Sequence, residues 1–323
     1  MAASPSFARM SLKRGVSILG IFVADLAFRS PRMPAMGETV LGSGFKMGPG
    51  GKGSNQAVAA ARAGAEVTFI SRLGRDDFAT IARATWQREG IRTHVIEAES
   101  QPTGAAFIYV DDHSGDNAII VVSGAAGMLA AADVEAAAGA IESSAVFVTQ
   151  LEQPVAAARR GLEIARDAGV VTVLNPAPAA PLPDEVYVLC DYVTPNETEA
   201  SLLTGITVAT IDDARRAGDV FLAKGVGTAV ITLGEAGALF HGREESKLIP
   251  AFQAGSVVET TGAGDAFNGG FAAALAAGAS AVDAARFGCA AAGISVTRSG
   301  TAPSMPTRAE IERLMARGPE RPR

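Results

Sequence analysis

Residues Glu259–Gly270 read ETTGAGDAFNGG, and the rest of the chain is organised around this stretch. Its small residues Gly262–Gly264 allow a tight turn in which the backbone can approach a ligand closely. The apolar run Ala266–Ala277 follows at once and predicts a buried helix. Because the first N–H groups of a helix lack partners within the helix, the turn predicts a binding site for an anion.

Asp265 lies inside that predicted anion site. A carboxylate there repels phosphate, but it is well placed to take a proton from a hydroxyl that then attacks a phosphoryl group. The alternative is that Asp265 is an ordinary helix N-cap after a glycine turn, which is a common arrangement. From this stretch alone both interpretations stay open.

A second glycine turn, Gly48–Gln56, precedes the helical run Ala57–Ala63. Its spacing matches the letters of the dinucleotide fingerprint, but the tight strand–turn–helix context is missing. A P-loop needs Ser or Thr directly after Gly-Lys, and here Gly53 follows Lys52. The turn therefore presents Lys52 and Asn55, which suit a polyhydroxyl ligand. An ordinary glycine loop is the alternative.

Strand-like and helix-like segments alternate along the chain. This pattern predicts an α/β fold with a doubly wound, mostly parallel sheet and helices on both faces. Asp25, just beyond the first strand, is expected at the ligand crevice of that sheet. Apolar runs predict strands at Val16–Val23, Val67–Ser71, Ala145–Thr149, Val170–Leu174 and Ala229–Leu233. Periodic or alanine-rich runs predict helices at Phe78–Glu89, Ala130–Glu142, Val155–Ala168, Ala281–Thr297 and Arg308–Arg317.

Two segments interrupt the alternation and predict a small additional β-sheet. Glu38–Met47 contains glycines and alternates loosely, as an exposed strand pair does. Ala105–Val110 and Ala118–Val122 flank the polar turn Asp111–Asp116, which predicts a β-hairpin. A hairpin inside an otherwise alternating chain suggests a lid or an appended sheet.

Asn196 and Glu199 follow Pro195, which stops a predicted strand. Because they are three residues apart, the two side chains share one side of the next helix. One interpretation is a variant of the capping box. The other is a polar pair that holds a hydrated Mg²⁺, an ion that prefers oxygen ligands and often keeps its waters.

Composition and charge exclude several classes of protein. The formal net charge of −6 gives no electrostatic support for a nucleic-acid partner. The two cysteines, Cys190 and Cys289, lack disulfide or metal spacing, so we expect a reducing, cytoplasmic compartment. No uninterrupted apolar run reaches about 18 residues, so no membrane span is expected. We expect one domain over residues 15–317 with loose tails at 1–14 and 318–323.

Together the motifs resemble the ribokinase-like family of carbohydrate kinases, also called the PfkB family, over nearly the whole chain. Three family motifs are matched, in the expected order, by Gly50–Asn55, Asn196–Glu199 and Thr261–Asp265. Each is weak or moderate alone, whereas all three together are a strong signal. Further segments are similar to the branch of the family that phosphorylates ribose: Gln150–Glu152, Leu174–Pro178 and Thr194–Ala200.

The resemblance implies an ATP-dependent kinase that phosphorylates a hydroxyl of a small sugar, with ribose to ribose 5-phosphate as the first expectation. It implies that Asp265 is the catalytic base and that Gly262, Ala263 and Gly264 form the anion hole. The implied sugar-binding residues are Asp25, Gly51, Lys52, Asn55, Glu152 and Asp265. The implied ATP-binding residues are Asn196, Thr232, Gly234, Gly237, Gly264 and Cys289.

The resemblance also implies two metal ions and a homodimer. Glu199 would organise Mg²⁺ through water. The implied residues of a monovalent-cation (K⁺) site are Glu259, Thr261, Ser295, Arg298, Gly300 and Ser304. Segments near 25–48 and 103–123 would form a β lid that covers the sugar and pairs two subunits.

Two positions depart from the family pattern. Val23 stands where the ribose branch has Asn, two residues before Asp25, and this loses a hydrogen bond worth about 0.5–1.5 kcal/mol. Glu259 stands where the cation site usually has Asp. The alternatives are therefore a kinase of the same family for another sugar or a nucleoside, and a non-catalytic protein that binds a sugar or nucleotide.

Overall fold

The structure, a computed structural model, describes residues 15–318 and contains one sheet of nine strands and one of four. The predicted tail at 1–14, and the predicted tail at 318–323 apart from Gly318, lie outside the described residues. The strands are β1 (Val16–Leu19), β2 (Val23–Ser30), β3 (Gly44–Gly50), β4 (Val67–Leu73), β5 (Arg92–Glu97), β6 (Thr103–Asp111), β7 (Asn117–Gly124), β8 (Val146–Thr149), β9 (Val171–Leu174), β10 (Tyr192–Val193), β11 (Thr228–Thr232), β12 (Ala238–Gly242) and β13 (Ser246–Ile249).

Eleven α-helices accompany these strands in the described part of the chain. They are α1 (Lys52–Arg62), α2 (Asp77–Arg88), α3 (Ala131–Ala136), α4 (Ala138–Glu142), α5 (Val155–Asp167), α6 (Asp184–Tyr187), α7 (Glu197–Thr204), α8 (Ile211–Ala223), α9 (Ala263–Ala276), α10 (Ala281–Ser295) and α11 (Arg308–Arg317). None of them is both long enough and apolar enough to cross a membrane.

The large sheet has the strand order β13-β12-β11-β10-β9-β8-β1-β4-β5. The pairs from β11 to β5 are parallel, whereas β12 and β13 add antiparallel strands at one edge. Successive residues of β8 enter different cores: Val146 and Val148 join the core that contains α1, α9 and α10, and Phe147 joins the core of α5 and α8. Because a parallel sheet is buried on both faces, its strands read as continuous apolar runs. The predicted doubly wound fold is confirmed.

The first predicted strand, Val16–Val23, is wrong in its length. Strand β1 ends at Leu19, and Val23 begins β2 in the other sheet. The chain leaves the large sheet at Gly20, where a Cβ would lie 2.7 Å from the Cα of Gly53. Ile21 and Phe22 are fully buried in the connection, so their apolar character reflects core packing rather than strand pairing. Asp25 consequently lies within β2 and not beyond a central strand.

Of the other predicted helices and strands, some agree with the structure and some do not. The helix at Arg308–Arg317 and the hairpin of β6 and β7 are confirmed. The helix predicted over Ala130–Glu142 is divided at Ala137, because one non-helical residue is invisible in an alanine-rich pattern. Strand β5, helix α8 and the β12–β13 hairpin were not predicted.

The small sheet has the strand order β3-β2-β6-β7. The pairing of β2 with β6 is parallel and the other two pairings are antiparallel. One face carries Asp25 towards Thr301. The opposite face exposes a row of apolar side chains, in which the ring of Phe28 lies 4.9 Å from that of Phe45 and 5.8 Å from that of Phe107.

Candidate active site

Polar side chains converge at the carboxyl ends of the central strands. The strands β4 and β8 pair with opposite edges of β1, so the chain connections diverge between β1 and β8. In open α/β sheets this topological switch point is the usual place for a ligand. Gln150 follows β8, Asn175 follows β9 and Thr194 follows β10, and all three side chains are buried there.

The amino end of α9 is open towards this crevice. Its N-cap is Gly262, in the left-handed region at φ 85°, and no side chain caps the helix. The N–H of Ala263 donates to the carbonyl of Thr260 at 3.1 Å, which uses one of the predicted anion-hole groups within the turn. In helix geometry the next N–H groups, of Gly264 and Asp265, have no partner within the helix and can face an anion.

Asp265 is the third residue of α9, so the alternative of an N-cap aspartate is wrong. Its side chain is buried and accepts hydrogen bonds from two other side chains. The Nδ2 of Asn55 donates to Oδ2 at 3.0 Å, and the Nε2 of Gln56 donates to Oδ1 at 3.0 Å. Burial raises the pKa of Asp265, whereas Lys52 and the two amide donors act to lower it.

The amino end of α1 brings Lys52 to the same place. Its N-cap Gly51 has φ 88°, and a Cβ there would lie 2.6 Å from the carbonyl oxygen of Ile21. The backbone N–H of Lys52 donates to Oε2 of Glu152 at 2.8 Å. Burial opposes the charge of the Lys52 ammonium, but the carboxylates of Asp265, Glu152 and Glu199 outweigh it and raise the pKa of Lys52.

Two further carboxyl groups of the site have strongly raised pKa values. Burial raises the pKa of Asp25 to about 7, and the hydroxyl of Thr301, 3.4 Å from its Oδ2, acts in the opposite direction. Burial also raises the pKa of Glu152 to about 7, opposed by Lys52. Both groups therefore change charge near neutral pH, and both can accept hydrogen bonds from hydroxyl groups when ionised.

The amino end of α7 is closed by its own side chains. Oε2 of Glu199 accepts the N–H of Asn196 at 2.9 Å, and Oδ1 of Asn196 accepts the N–H of Glu199 at 2.8 Å. The capping-box interpretation is thus correct. Asn196 also pairs with Thr232 in an isolated parallel bridge, which joins two predicted ATP residues. The glycines Gly234 and Gly237, both with positive φ, bound the short turn that follows β11.

The predicted cation residues lie on two segments that touch. The N–H of Gly300 donates to Oε2 of Glu259 at 2.8 Å. The guanidinium of Arg298 pairs with Glu310 at 2.6 Å. The hydroxyls of Ser295 and Ser304 donate to the carbonyls of Ala292 and Thr301, and Thr261 follows Glu259 by two residues. No cluster of three or more His, Cys, Asp or Glu side chains suited to a metal occurs within residues 15–318.

Cys289 lies on α10, inside the apolar core of the α9 side of the sheet. Burial raises the pKa of its thiol to about 12, so the thiol is protonated at neutral pH. Its place beside the adenine stays a prediction.

Sequence reasoning missed a set of buried amide and hydroxyl side chains behind Asp265. They are Gln56, Gln150, Asn175, Thr194 and Asn268. The sequence did carry a signal at Gln56. This polar residue directly precedes the apolar run of α1, at a position expected to be buried. The others carried no local signal, because turns and strand ends are polar in most proteins.

Comparison with known proteins agrees with this geometry. The family profile described as pfkB family carbohydrate kinase matches residues 13–308. The chain is 42% identical to the ribokinase of Haemophilus influenzae over 300 residues, 93% of this chain and 97% of that protein. It is 37% identical to the deoxyribokinase of Salmonella typhi over 259 residues, 80% of this chain and 84% of that protein. The solved structure of Arabidopsis thaliana ribokinase complexed with ribose and ATP superposes with a TM-score of 0.85 at 30% identity, over 94% of this chain and 99% of that one.

Proposed function

This chain belongs to the pfkB family of carbohydrate kinases, and we propose that it transfers the γ-phosphate of ATP to a hydroxyl of ribose to give ribose 5-phosphate. The observation that carries the proposal is the buried Asp265 at the open amino end of α9. A base and an anion site next to each other are what phosphoryl transfer to a hydroxyl requires. The ribokinase of Haemophilus influenzae and the ribose and ATP complex from Arabidopsis thaliana support ribose as the acceptor.

In this proposal each group near the switch point has one task. Asp265 takes the proton from the attacking hydroxyl. The turn Gly262–Gly264 holds the γ-phosphate through backbone N–H groups, which is the anion-hole assignment of the sequence. Asp25, Glu152 and the Oδ1 of Asn55 accept hydrogen bonds from sugar hydroxyls, and Lys52 donates to the same sugar. Asn55 supports this role, because its Oδ1 is buried and has no hydrogen-bond partner among the described residues.

We assign ATP to the surface formed by α7 and the turn after β11. Asn196, Thr232, Gly234 and Gly237 lie there, and the bridge between Asn196 and Thr232 holds the two segments together. Mg²⁺ would neutralise charge on the phosphates when bound. Glu199 fits a hydrated ion, since its capping bond uses Oε2 and the second oxygen can accept a hydrogen bond from water on the ion.

We assign K⁺ to the loops joined by Glu259 and Gly300. The contact between Oε2 of Glu259 and the N–H of Gly300 brings together the carbonyl-rich segments that carry Thr261 and Ser304. Because the charge of Arg298 is paired with Glu310, its side chain does not repel a cation there. Activity is expected to rise several-fold when K⁺ replaces a bulky organic cation at equal ionic strength, and a flat response would contradict the assignment.

We propose that the small sheet covers the sugar with its Asp25 face and pairs two subunits through its other face. That other face carries Phe28, Phe45, Phe107 and Ile120, of which Ile120 is 64% exposed. Exposed apolar patches of this kind mark interaction surfaces. A charged residue on this face, Ile120→Lys, is expected to convert a dimer into a monomer in sedimentation analysis, and an unchanged mass would place the interface elsewhere.

A turnover assay with ATP and a panel of free sugars tests the proposed acceptor. We expect ribose to be phosphorylated on its 5-hydroxyl, with the product identified by nuclear magnetic resonance. Binding of nucleotide or sugar without any turnover would support the non-catalytic alternative.

A second acceptor, 2-deoxyribose, is favoured by Val23 and by the similarity to the deoxyribokinase of Salmonella typhi. Val23 begins β2, two residues before Asp25, and shares its face of the strand. An apolar side chain makes no hydrogen bond to a hydroxyl group of the sugar, but it does not strongly exclude one either. Val23→Asn should shift the kcat/KM ratio of ribose to 2-deoxyribose by about tenfold towards ribose, the effect of one hydrogen bond. An unchanged ratio would show that Val23 does not face the sugar.

A further inference from the structure

Gln56 is completely buried on α1, and all of its polar atoms are bonded to the polar groups of the switch point. Its Nε2 donates to Oδ1 of Asp265 at 3.0 Å and to Oδ1 of Asn175 at 3.1 Å. Its Oε1 accepts from Nε2 of Gln150 at 2.6 Å. A fully satisfied buried amide is held in one orientation, because any rotation leaves a buried polar atom without a partner.

Two groups that can only accept hydrogen bonds determine the direction of these amides. The ionised carboxylate of Asp265 has no proton to donate, so the nitrogen of Gln56 must face it. The backbone carbonyl of Thr194 accepts from Nδ2 of Asn175 at 2.8 Å, so the oxygen of Asn175 must face Gln56. The same Nε2 therefore serves both acceptors, and Gln150 must act as a donor to Oε1.

The network continues from Thr194 back to α9. The hydroxyl of Thr194 donates to Oδ1 of Asn268 at 2.6 Å, and Nδ2 of Asn268 donates to the carbonyl of Gly264 at 2.8 Å. Hydrogen bonds therefore connect the carboxylate of Asp265 to the strand ends, and a second set connects the carbonyl of the preceding residue, Gly264, to them. Both sets start from residues at the carboxyl ends of β9 and β10.

The two oxygens of Asp265 face different surroundings. Oδ1 is held by Gln56, whose other partners are all protein groups. Oδ2 is held by Asn55, whose own Oδ1 is buried and lacks a partner in residues 15–318. Asn55 lies beside Lys52 in the crevice, so its unpartnered acceptor indicates a ligand there, whereas the unpartnered Oε1 of Gln150 packs against the backbone of Gly20 and Gly53. Oδ2 of Asp265 therefore lies on the ligand side and Oδ1 on the protein side.

We propose that Gln56 is a positioning residue of the phosphoryl transfer, which holds Oδ1 of Asp265 so that Oδ2 faces the acceptor hydroxyl. This inference rests on the proposed function and adds a residue to it. Gln56 touches neither substrate, and it acts only through the base. A base held in one orientation keeps its proton-accepting oxygen within reach of the hydroxyl.

Gln56 has an electrostatic effect as well as a geometric one. A donor to the ionised form of a carboxylate lowers its pKa, which offsets the effect of burial on Asp265. The charged groups that face Asp265 from the elements around it are Lys52 of α1, Asp25 of β2, Glu152 after β8 and Glu199 of α7. Substitution of Gln56 leaves these charged groups in place, so a change in pH dependence can be attributed to loss of the Gln56 amide.

The test compares Gln56→Met with Gln153→Met. Methionine has nearly the shape of glutamine and no hydrogen-bonding amide. Gln153 is a matched control, because it is a buried glutamine at the same edge whose Nε2 donates to Thr149 and Gln150 and not to Asp265. For Gln56→Met we expect kcat to fall about ten- to a hundredfold, with the KM of ribose and ATP changed by less than about threefold. The acid limb of its kcat profile should move up by about one pH unit, and Gln153→Met should show neither effect.

A double variant separates positioning from a general loss of structure. If Gln56 acts only through Asp265, adding Gln56→Met to Asp265→Asn should lower kcat no further than Asp265→Asn alone. Additive losses, a wild-type profile in Gln56→Met, or an equal loss in Gln153→Met would each overturn the proposal. Gln56→Glu keeps the shape of the side chain and provides a second variant, in which the acid limb should move up further because two carboxyl groups then share the site.

A carboxyl titration by nuclear magnetic resonance keeps this inference distinct from the proposed function. The pKa of Asp265 in the unligated protein should be higher in Gln56→Met than in the wild type, whichever sugar the wild type phosphorylates. A wild type that fails to phosphorylate ribose would refute the proposed function alone. An unchanged pKa of Asp265 would refute the role of Gln56 alone.

Discussion

The amino ends of α9 and α7 both contribute to the crevice, and they are built in opposite ways. At α7 the side chains of Asn196 and Glu199 cap the helix within four residues of each other. At α9 the cap is Gly262, which has no side chain, and the carboxylate of Asp265 bonds to residues of another helix. The capping box occupies the N–H groups of Asn196 and Glu199, which therefore cannot bind an anion, whereas no side chain occupies the first N–H groups of α9.

The amino end of α1 is intermediate between these two. Its first N–H is paired, but with Glu152, which is 100 residues away in the chain. A local cap stabilises one helix, whereas a distant one also holds two parts of the crevice together. Helix α5 also lacks a side-chain cap, so a missing cap alone indicates no site. Helices α1 and α9 differ because both begin at the crevice where ligands are expected.

The largest effect is expected for the carboxylate of α9. Asp265→Asn should leave the binding of ATP and ribose in place and lower kcat by about 10²–10⁴-fold, because the general base is lost. Steady-state kinetics and equilibrium binding measure the two parts separately. Near wild-type turnover in a folded Asp265→Asn protein would show that Asp265 is not the general base.

The turn of α9 offers two glycines with different constraints. Gly264 has no heavy atom within 4 Å of an added Cβ, so Gly264→Ala should keep the wild-type Tm. Gly262 has φ 85° and its Cβ would lie 3.3 Å from the Cα of Thr301, so Gly262→Ala should lower the Tm as well.

If phosphate binds against the N–H groups at the amino end of α9, both alanine variants should lower kcat about ten- to a hundredfold. This is less than the roughly 10²–10³-fold for loss of an anion-hole donor, because the N–H groups themselves remain. The informative measurement is Gly264→Ala, because its stability is expected to be unchanged. Full activity of that variant would mean that the anion does not lie over Gly264.

The distant cap of α1 is expected to destabilise the unligated protein at high pH. The pKa of Glu152 is about 7 in the native state against 4.5 for an ordinary Glu, so the native state loses stability as pH rises from about 4.5 through about 7. Glu152→Gln removes this loss. The free energy of unfolding of Glu152→Gln minus that of the wild type should be about 1–3 kcal/mol larger near pH 8 than near pH 5, while kcat/KM for ribose falls.

Denaturant unfolding of the unligated proteins at the two pH values measures this difference. Glu66→Gln is the control, since the Glu66 side chain is 66% exposed. An equal pH dependence in the wild type and Glu152→Gln would show that Glu152 is not a buried charge of the site.

The smallest effect is expected for the local cap of α7. Helix α8 supplies a matched control, because Thr210 and Asp213 form the same capping box on a helix whose Asp213 pairs with solvent-exposed Arg216. Glu199→Gln and Asp213→Asn should each change the Tm only slightly, because an amide oxygen can still accept the N–H of the N-cap residue. Only Glu199→Gln should raise the Mg²⁺ concentration needed for half-maximal activity, by a few-fold. Identical Mg²⁺ titrations would leave Glu199 as a capping residue alone.

Features of the fold that depend on neighbours in the chain were predictable. The doubly wound sheet follows from the alternation of apolar runs, and the cap of α7 follows from residues three apart. The path of the chain between Leu19 and Val23 was not predictable, because Ile21 and Phe22 are apolar for packing reasons that a strand pattern shares. Asp25 was therefore placed on the wrong sheet.

The sequence by itself determined which groups are available for chemistry: the glycine turns at α1 and α9, the polar side chains of Lys52, Asn55 and Asp265 beside them, and the apolar strands that hold them. These are properties of a few consecutive residues. Only the tertiary structure decided which groups meet. Gln56 and Asp265 are 209 residues apart and their side-chain atoms are 3.0 Å apart. Such pairs depend on strand order and on burial, which also sets the pKa values, and both arise only when distant segments exclude water together.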